Sequence, residues 1–306
     1  MSAFQRISVA SIAFLVLLSG CGRDSAAETV RDRAALAEVE TKLKPLARPL
    51  PKPRPGDWLA EHEEEGQTFV QYVAAWPVRK SEQLRTIYIC QIGDFSPKQE
   101  QVLDIACEYL GVVYQVPVKR HIKLALADIP ARARRTHPQW GDKQILTTYV
   151  LDDVLQKARP DDALAYLAFT SSDLYPQDDW NFVFGQAKLR QRVGVWSIYR
   201  FGDPAGSDAA FRLCLRRTLS TASHETGHIL TIQHCTAFAC NMNGSNNLPE
   251  SDRQPLHFCP VCLRKVCWNL QVKPANYLSE LEAFCRKHEL QEEAKWYAKA
   301  REAMER

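Results

Sequence analysis

The chain has 306 residues, 45% of them hydrophobic and 25% charged, with a formal net charge of +3. That is enough apolar material for a full core, and one catalytic domain of about 200 residues with extensions fits the length. The charge is too small to indicate a nucleic-acid partner, and the sequence has neither a Gly-rich phosphate loop nor an internal repeat.

At the start of the chain, Arg6 precedes an apolar stretch from Ile7 to Leu18 that ends in Leu18-Ser19-Gly20-Cys21. The stretch is shorter than the roughly 20 residues a spanning helix needs; a transmembrane anchor is the competing reading. The segment resembles the lipobox of bacterial lipoproteins, whose cysteine is lipidated and becomes the first mature residue. The resemblance implies a signal peptide over residues 1–20 and a lipid anchor at Cys21. The protein is then extracytoplasmic and membrane-anchored, on the periplasmic side or at the outer membrane in a Gram-negative cell; Gly22 after the cysteine is compatible with outer-membrane sorting. Residues 22–41 form a loose helix, after which Pro45, Pro49, Pro51, Pro53 and Pro55 alternate with basic residues. Such spacing favours an extended segment, and residues 21–57 are expected to be a linker ahead of a domain over 58–306. A ligand for a proline-binding module is the alternative use.

From Thr86 the pattern alternates between strands and helices. Thr86–Ile92 is a strand rich in β-branched and aromatic residues. Pro97 opens a helix to about Leu110, with Val102, Leu103, Ala106, Cys107 and Leu110 on one face. Gly111–Val116 is expected as a second strand, Ile145–Lys157 as a helix and Asp162–Phe169 as a strand. Phe182–Gly185 and Val193–Tyr199 complete a sheet of about five strands. Ser207 or Asp208 caps a long helix, and residues 277–305 make two scaffolding helices. The fold class is α+β, a mixed sheet with packed helices.

The long helix carries His224-Glu225-Thr226-Gly227-His228, with a third histidine at His234. Residues at i and i+4 share a helix face, so His224 and His228 can grip one metal ion. Three neutral imidazoles leave the fourth position of a tetrahedral Zn²⁺ open to water, as catalysis requires, and Glu225 is placed to act as general base. A helix that carries two histidines by chance is the plain alternative. Downstream stand Cys235, Cys240, Met242 and the Cys259-Pro260-Val261-Cys262 knuckle.

This order of residues resembles the archaemetzincins (archaelysins), a family of zinc metallopeptidases. The resemblance is dense over residues 224–265, including Met242–Leu248, Arg253 and Pro255-Leu256, and extends loosely to Gly56-Asp57-Trp58. It implies a metzincin-like fold and two zinc ions per chain. One is catalytic, on His224, His228 and His234; the other is structural, on Cys235, Cys240, Cys259 and Cys262. Two disulfides are the competing reading for these cysteines. Of the remaining five, Cys90, Cys107 and Cys214 sit among apolar residues and read as buried thiols, and an odd number cannot all pair within the chain. Met242 matches the methionine that packs beneath the metal ligands. The cleft of metzincins runs beside the edge strand, here expected at Phe182–Gly185, to which a peptide can add by backbone pairing. Peptide substrates are implied, with aminopeptidase activity as one form. The family has glycine seven residues after the first histidine, where this chain has Thr231. A left-handed backbone at Thr231 costs roughly 1–2 kcal/mol. Two other functions compete: a catalytically inactive zinc-stabilised binding protein, which would not need Glu225, and a thiol redox protein using Cys259 and Cys262, which would explain none of the histidines.

Overall fold

The computed structural model describes residues 34–306. The expected signal segment and Cys21 lie outside the described residues. The chain is organised around a five-stranded sheet in the order β2-β1-β5-β8-β7. Its strands are β1 (Thr86–Ile92), β2 (Val118–Leu124), β5 (Ala163–Thr170), β7 (Gly185–Lys188) and β8 (Val193–Ser197). β2, β1, β5 and β8 run parallel, and β7 is antiparallel to β8 at the edge. A smaller sheet joins β3 (Arg134–Thr136), β4 (Lys143–Leu146) and β6 (Asp173–Tyr175). Nothing in its short strands announces it in the sequence.

β5 is buried along its whole length, as a central parallel strand covered on both faces must be. Its side chains alternate between two cores. Ala165, Leu167 and Phe169 meet helices α1 (Pro97–Tyr114) and α2 (Asp208–Ile229), whereas Tyr166 and Ala168 face Val150, Leu151 and Leu155. α3 (Pro260–Leu270), α4 (Pro274–Lys287) and α5 (Gln291–Glu305) close the first core through Val266, Leu278, Leu281 and Tyr297. The fold is α+β, as expected.

Four expectations are corrected. Gly111–Val116 is not a strand, because α1 continues to Tyr114 and ends at Gln115 with φ 52°. Val113 and Tyr114 extend the helical stripe of Leu103, Ala106 and Leu110, and the real second strand, β2, is hidden by its Lys, Arg and His residues. The helix expected over Ile145–Lys157 starts later, since Ile145 and Leu146 belong to β4; residues 147–158 are helical with a π turn at Val150–Leu155. The edge strand is Gly185–Lys188 rather than Phe182–Gly185, with Val183 making only a bridge to Leu174.

The fourth correction concerns the expected linker. Residues 34–42 are helical, and Val39 and Leu43 are fully buried in the first core. Glu40 pairs with Arg264 at 2.7 Å, tying this helix to α3. The proline-rich stretch is extended but is not a free spacer: Pro49 bridges Phe238, and Leu50 N–H donates to the Ala237 carbonyl. The packed unit therefore begins well before residue 58. Leu43→Ala should lower unfolding stability by about 2–5 kcal/mol, the range for a buried leucine truncation. Denaturant unfolding measures it, and an unchanged midpoint would mean that the segment is a loose tether.

Candidate metal centres and active-site cleft

Ser207 caps α2 by accepting from Ala210 N–H at 3.1 Å, and the helix runs to Ile229 with His224 and His228 in its last turns. The helix ends in a turn centred on Thr231, whose φ is +70°. Thr231 N–H donates to the His228 carbonyl at 2.8 Å and Ile232 N–H to that of Gly227 at 3.1 Å, the two bonds of a Schellman cap. This left-handed turn brings His234 back over the helix. Thr231 adopts the conformation that glycine would take without strain, and its Oγ1 accepts from Val78 N–H at 3.3 Å. That bond, worth about 1 kcal/mol, offsets part of the backbone cost.

The three imidazoles converge with their tautomers fixed. His224 Nδ1 faces the Asn241 carbonyl at 2.8 Å and His228 Nδ1 the Ile232 carbonyl at 2.7 Å. A carbonyl only accepts, so both Nδ1 atoms carry the proton and both Nε2 atoms present lone pairs. Those Nε2 atoms are 2.9 Å apart, a repulsive contact unless a cation or proton sits with them. His234 Nδ1 lies 2.9 and 3.0 Å from the carboxylate oxygens of Glu64, which leaves its Nε2 free in the same way. One ligand nitrogen from each ring lies within 4.8 Å of the others. Burial, with His234 close by, pulls the His224 pKa down to about 3 and carries His228 well below its usual value, so both rings stay neutral. Although burial works against it, the hydrogen bond from His234 holds the Glu64 carboxyl below the ordinary range. This set fits Zn²⁺.

Glu225 is buried, and that burial pushes its carboxyl up to about 8. A dication held on the adjacent His224 would oppose that shift. Gly185 of β7 passes directly over it: a methyl there would sit 2.8 Å from Glu225 Oε1. Met242 is fully buried against α2, where Gly227 makes room for it; a methyl on Gly227 would lie 2.6 Å from its Sδ.

The second centre is a cluster of Cys235, Cys240, Cys259 and Cys262, with all four sulfurs within 4.8 Å of one another. All nine described cysteines are free, so the disulfide reading does not hold. Cys107 is only partly buried, in contrast to Cys90 and Cys214. Cys240 Sγ accepts backbone N–H bonds from Met242 at 3.4 Å and Cys259 at 3.2 Å, and Cys259 and Cys262 stand at the N-terminus of α3. Both features favour thiolates. The other three thiols pull the Cys235 pKa far down; burial raises that of Cys240, and hydrogen bonding to Cys235 raises that of Cys262. Four thiolates gathered this closely need a dication to balance their charge. A closed Cys₄ set is that of a structural zinc. The loop between the centres is stitched by Asn243, whose Nδ2 donates to the carbonyls of Cys235 at 2.6 Å and Phe238 at 2.9 Å. The same loop supplies Asn241 O to His224 and carries His234.

Beside the histidines lies a cavity of about 460 Å³, lined among others by Trp58, Trp180, Phe182, Phe184, Ser245 and Asn246. A second hollow of about 470 Å³ shares Leu189, His228 and His234 with it and ends at Glu64 and Glu65. The cleft therefore crosses the histidines along β7. Trp58 stands edge-on to His234 at 5.2 Å and passes over Gly244, where a side chain would collide at 2.5 Å. Arg253 binds Asp57 at 2.6 Å, so segments far apart in sequence meet here. All the sequence-predicted ligands come together. Glu64 is the site residue missed; it stands among Glu61, Glu63 and Glu65, and nothing local marks it out.

Two measurements follow from this geometry. Glu64→Ala should weaken zinc at the histidines by about 10- to 100-fold in chelator competition while the cysteine-bound zinc is retained; equal affinities would remove its orienting role. Thr231→Gly should tighten the same site by up to about tenfold for roughly 1.4 kcal/mol of strain removed. Thr231→Val, which keeps the strain and loses the hydroxyl, should weaken it; the opposite order would show that the turn is unstrained.

Residues 101–267 match the family model described as Peptidase family M54. The chain is 34% identical over 256 residues to archaemetzincin-2 of Macaca fascicularis, covering 72% of this chain and 69% of that protein. It is 34% identical over 135 residues to the archaemetzincin of Thermococcus kodakarensis, covering 42% of this chain and 70% of that one. The crystal structure of archaemetzincin from Methanopyrus kandleri superposes with a TM-score of 0.50 at 28% identity, covering 63% of this chain and 98% of that one. Glu64 lies upstream of the residues that match the family model. With its histidine and cysteine zinc centres, the chain belongs to peptidase family M54, the archaemetzincin zinc metallopeptidases.

Proposed function

We propose that this metallopeptidase hydrolyses peptide bonds with Glu225 as its general base. The observation that carries the assignment is the burial of Glu225 beside His224 and under the edge strand at Gly185, in the floor of an open cleft. When bound, zinc supplies a Lewis acid that lowers the pKa of water toward about 7 and polarises the scissile carbonyl. Glu225 takes the proton of the attacking water and returns it to the leaving amine. The free edge of β7 aligns the peptide backbone, and the acceptors on Nδ1 keep the three rings in the ligating tautomer. A non-hydrolytic zinc-binding protein would have no use for a carboxylate held at this position.

The role of Glu225 sets the polarity of the cleft. The leaving amine belongs to the residue after the scissile bond, so the C-terminal half of the substrate lies on the Glu225 side, toward Phe182 and Phe184. The N-terminal half lies toward Leu189, Glu64 and Glu65. An acidic end on that side supports recognition of a free amine, and aminopeptidase action is the form we favour. The export reading, with a lipid anchor at Cys21 and an extracytoplasmic location, is part of the same proposal and rests on Leu18-Ser19-Gly20-Cys21.

Glu225→Gln should retain both zinc ions and lose peptidase activity by at least about a hundredfold, the low end for a general base. Metal analysis beside a peptide-cleavage assay tests this, and near-wild-type cleavage would remove the assignment. N-terminal acetylation of a cleaved peptide should abolish turnover if the free amine is recognised; unchanged turnover would indicate endopeptidase action. Cys21→Ser should leave the membrane fraction or stay unprocessed, and an unmodified Cys21 in the mature protein would refute the anchor.

A further inference from the structure

The wall of the cleft on the Glu225 side is the loop between β6 and β7, and side chains of the small sheet hold it from behind. Arg135, on β3, donates through Nη1 to the Asp178 carbonyl at 2.9 Å. Its Nη2 donates to the carbonyls of Trp180 at 2.5 Å and Asn181 at 3.3 Å, and its Nε to Gln144 Oε1 at 2.8 Å. The guanidinium also lies 3.9 Å over the Tyr175 ring. Gln144, on β4, adds a bond from Nε2 to the Asn181 carbonyl at 2.7 Å and another to Asp173 at 2.7 Å. The small sheet thus supplies side-chain donors to loop carbonyls that have no strand partner. The guanidinium, with five N–H donors in one fixed plane, serves three carbonyls and the Gln144 amide oxygen at once.

On its other side this loop presents Trp180 and Phe182 to the cleft, followed by Phe184. The Phe182 and Phe184 rings pack edge-on at 5.2 Å, and Arg200 lies 3.9 Å from the Phe182 ring centre. Trp180 remains 39% exposed, a large apolar face turned to an open cavity. We propose that Arg135 is a positioning residue for substrate selection. It holds Trp180 and Phe182 as an aromatic wall that receives a large apolar side chain immediately C-terminal to the scissile bond. Arg135 itself touches no substrate. The inference rests on the peptidase reading above, which fixes the side of the cleft.

The test uses the zinc-loaded full chain and paired peptides that differ only in Phe or Gly after the scissile bond. Wild type should favour Phe by roughly tenfold or more in kcat/KM, in line with what an apolar pocket can discriminate. Arg135→Ala should remove that preference mainly through KM, with the Gly peptide within about twofold of wild type and zinc content unchanged. Arg135→Lys reaches one carbonyl and should be intermediate. Trp180→Ala, which leaves the clamp in place, should also lose the preference. Calorimetric binding of both uncleaved peptides to Glu225→Gln should reproduce the Phe-over-Gly ratio without turnover. Equal losses on both peptides in Arg135→Ala, or a Phe preference that survives both Arg135→Ala and Trp180→Ala, would overturn the proposal. Absence of wild-type cleavage with the binding preference intact would reject the peptidase reading and leave the wall standing; absence of the binding preference would reject the wall.

Discussion

Three imidazoles can present lone pairs to one point only if each gives its remaining N–H to an acceptor. The architecture around the cleft is built to supply those acceptors: the Asn241 carbonyl, the Ile232 carbonyl and the Glu64 carboxylate. They come from different parts of the chain. The turn after α2 supplies Ile232 O, the loop tied to the cysteine cluster supplies Asn241 O, and a segment upstream of β1 supplies Glu64. Moving any of them frees a ring to rotate or change tautomer, which weakens the site.

The turn at Thr231 shows how magnitudes settle an apparent conflict. A β-branched residue with φ +70° is held in a region that L side chains avoid, at roughly 1–2 kcal/mol. A hydrogen bond from Val78 to its hydroxyl offsets part of this. Zinc at a protein site contributes on the order of 10 kcal/mol, several times the residue's strain. The ligand geometry can therefore impose the turn, and it does so with threonine where glycine would be easier.

The cysteine cluster and the histidine triad form one mechanical unit. Cys235 follows His234 directly, its N–H donates to the Met242 carbonyl at 2.7 Å, and Met242 fills the space left by Gly227 of α2. A closed thiolate site fixes a loop that would otherwise have little regular hydrogen bonding, and that loop carries both a ligand and an acceptor for a second ligand. The edge strand, by contrast, is positioned by the large sheet, and the loop before it is positioned by the small one. Site precision here comes from rigid elements and cross-links around short loops.

How much of this could be read in the chain follows the range of each interaction. The histidine spacing on α2, the cysteine knuckle, the central strands β1 and β5 and the Ser207 cap are set by neighbours a few residues apart, and all were legible. Thr231 was legible as a strained position through the resemblance, because the family has glycine at that place. Glu64 was not, since a carboxylate 170 residues from His234 carries no local sign of its partner. The same reason hid β2, which is polar, and the small sheet, whose strands are short; pairing rather than propensity makes them strands. The proline-rich segment had the extended backbone expected of it, but whether it hangs free or lies along Ala237–Ala239 depends on surface it meets only after folding. The sequence by itself determined which residues could bind metal and on which elements they ride, because those patterns are periodic and local. Tertiary structure alone decided which acceptors orient them and which loops wall the cleft, because those contacts join residues that only the folded chain brings within hydrogen-bond range.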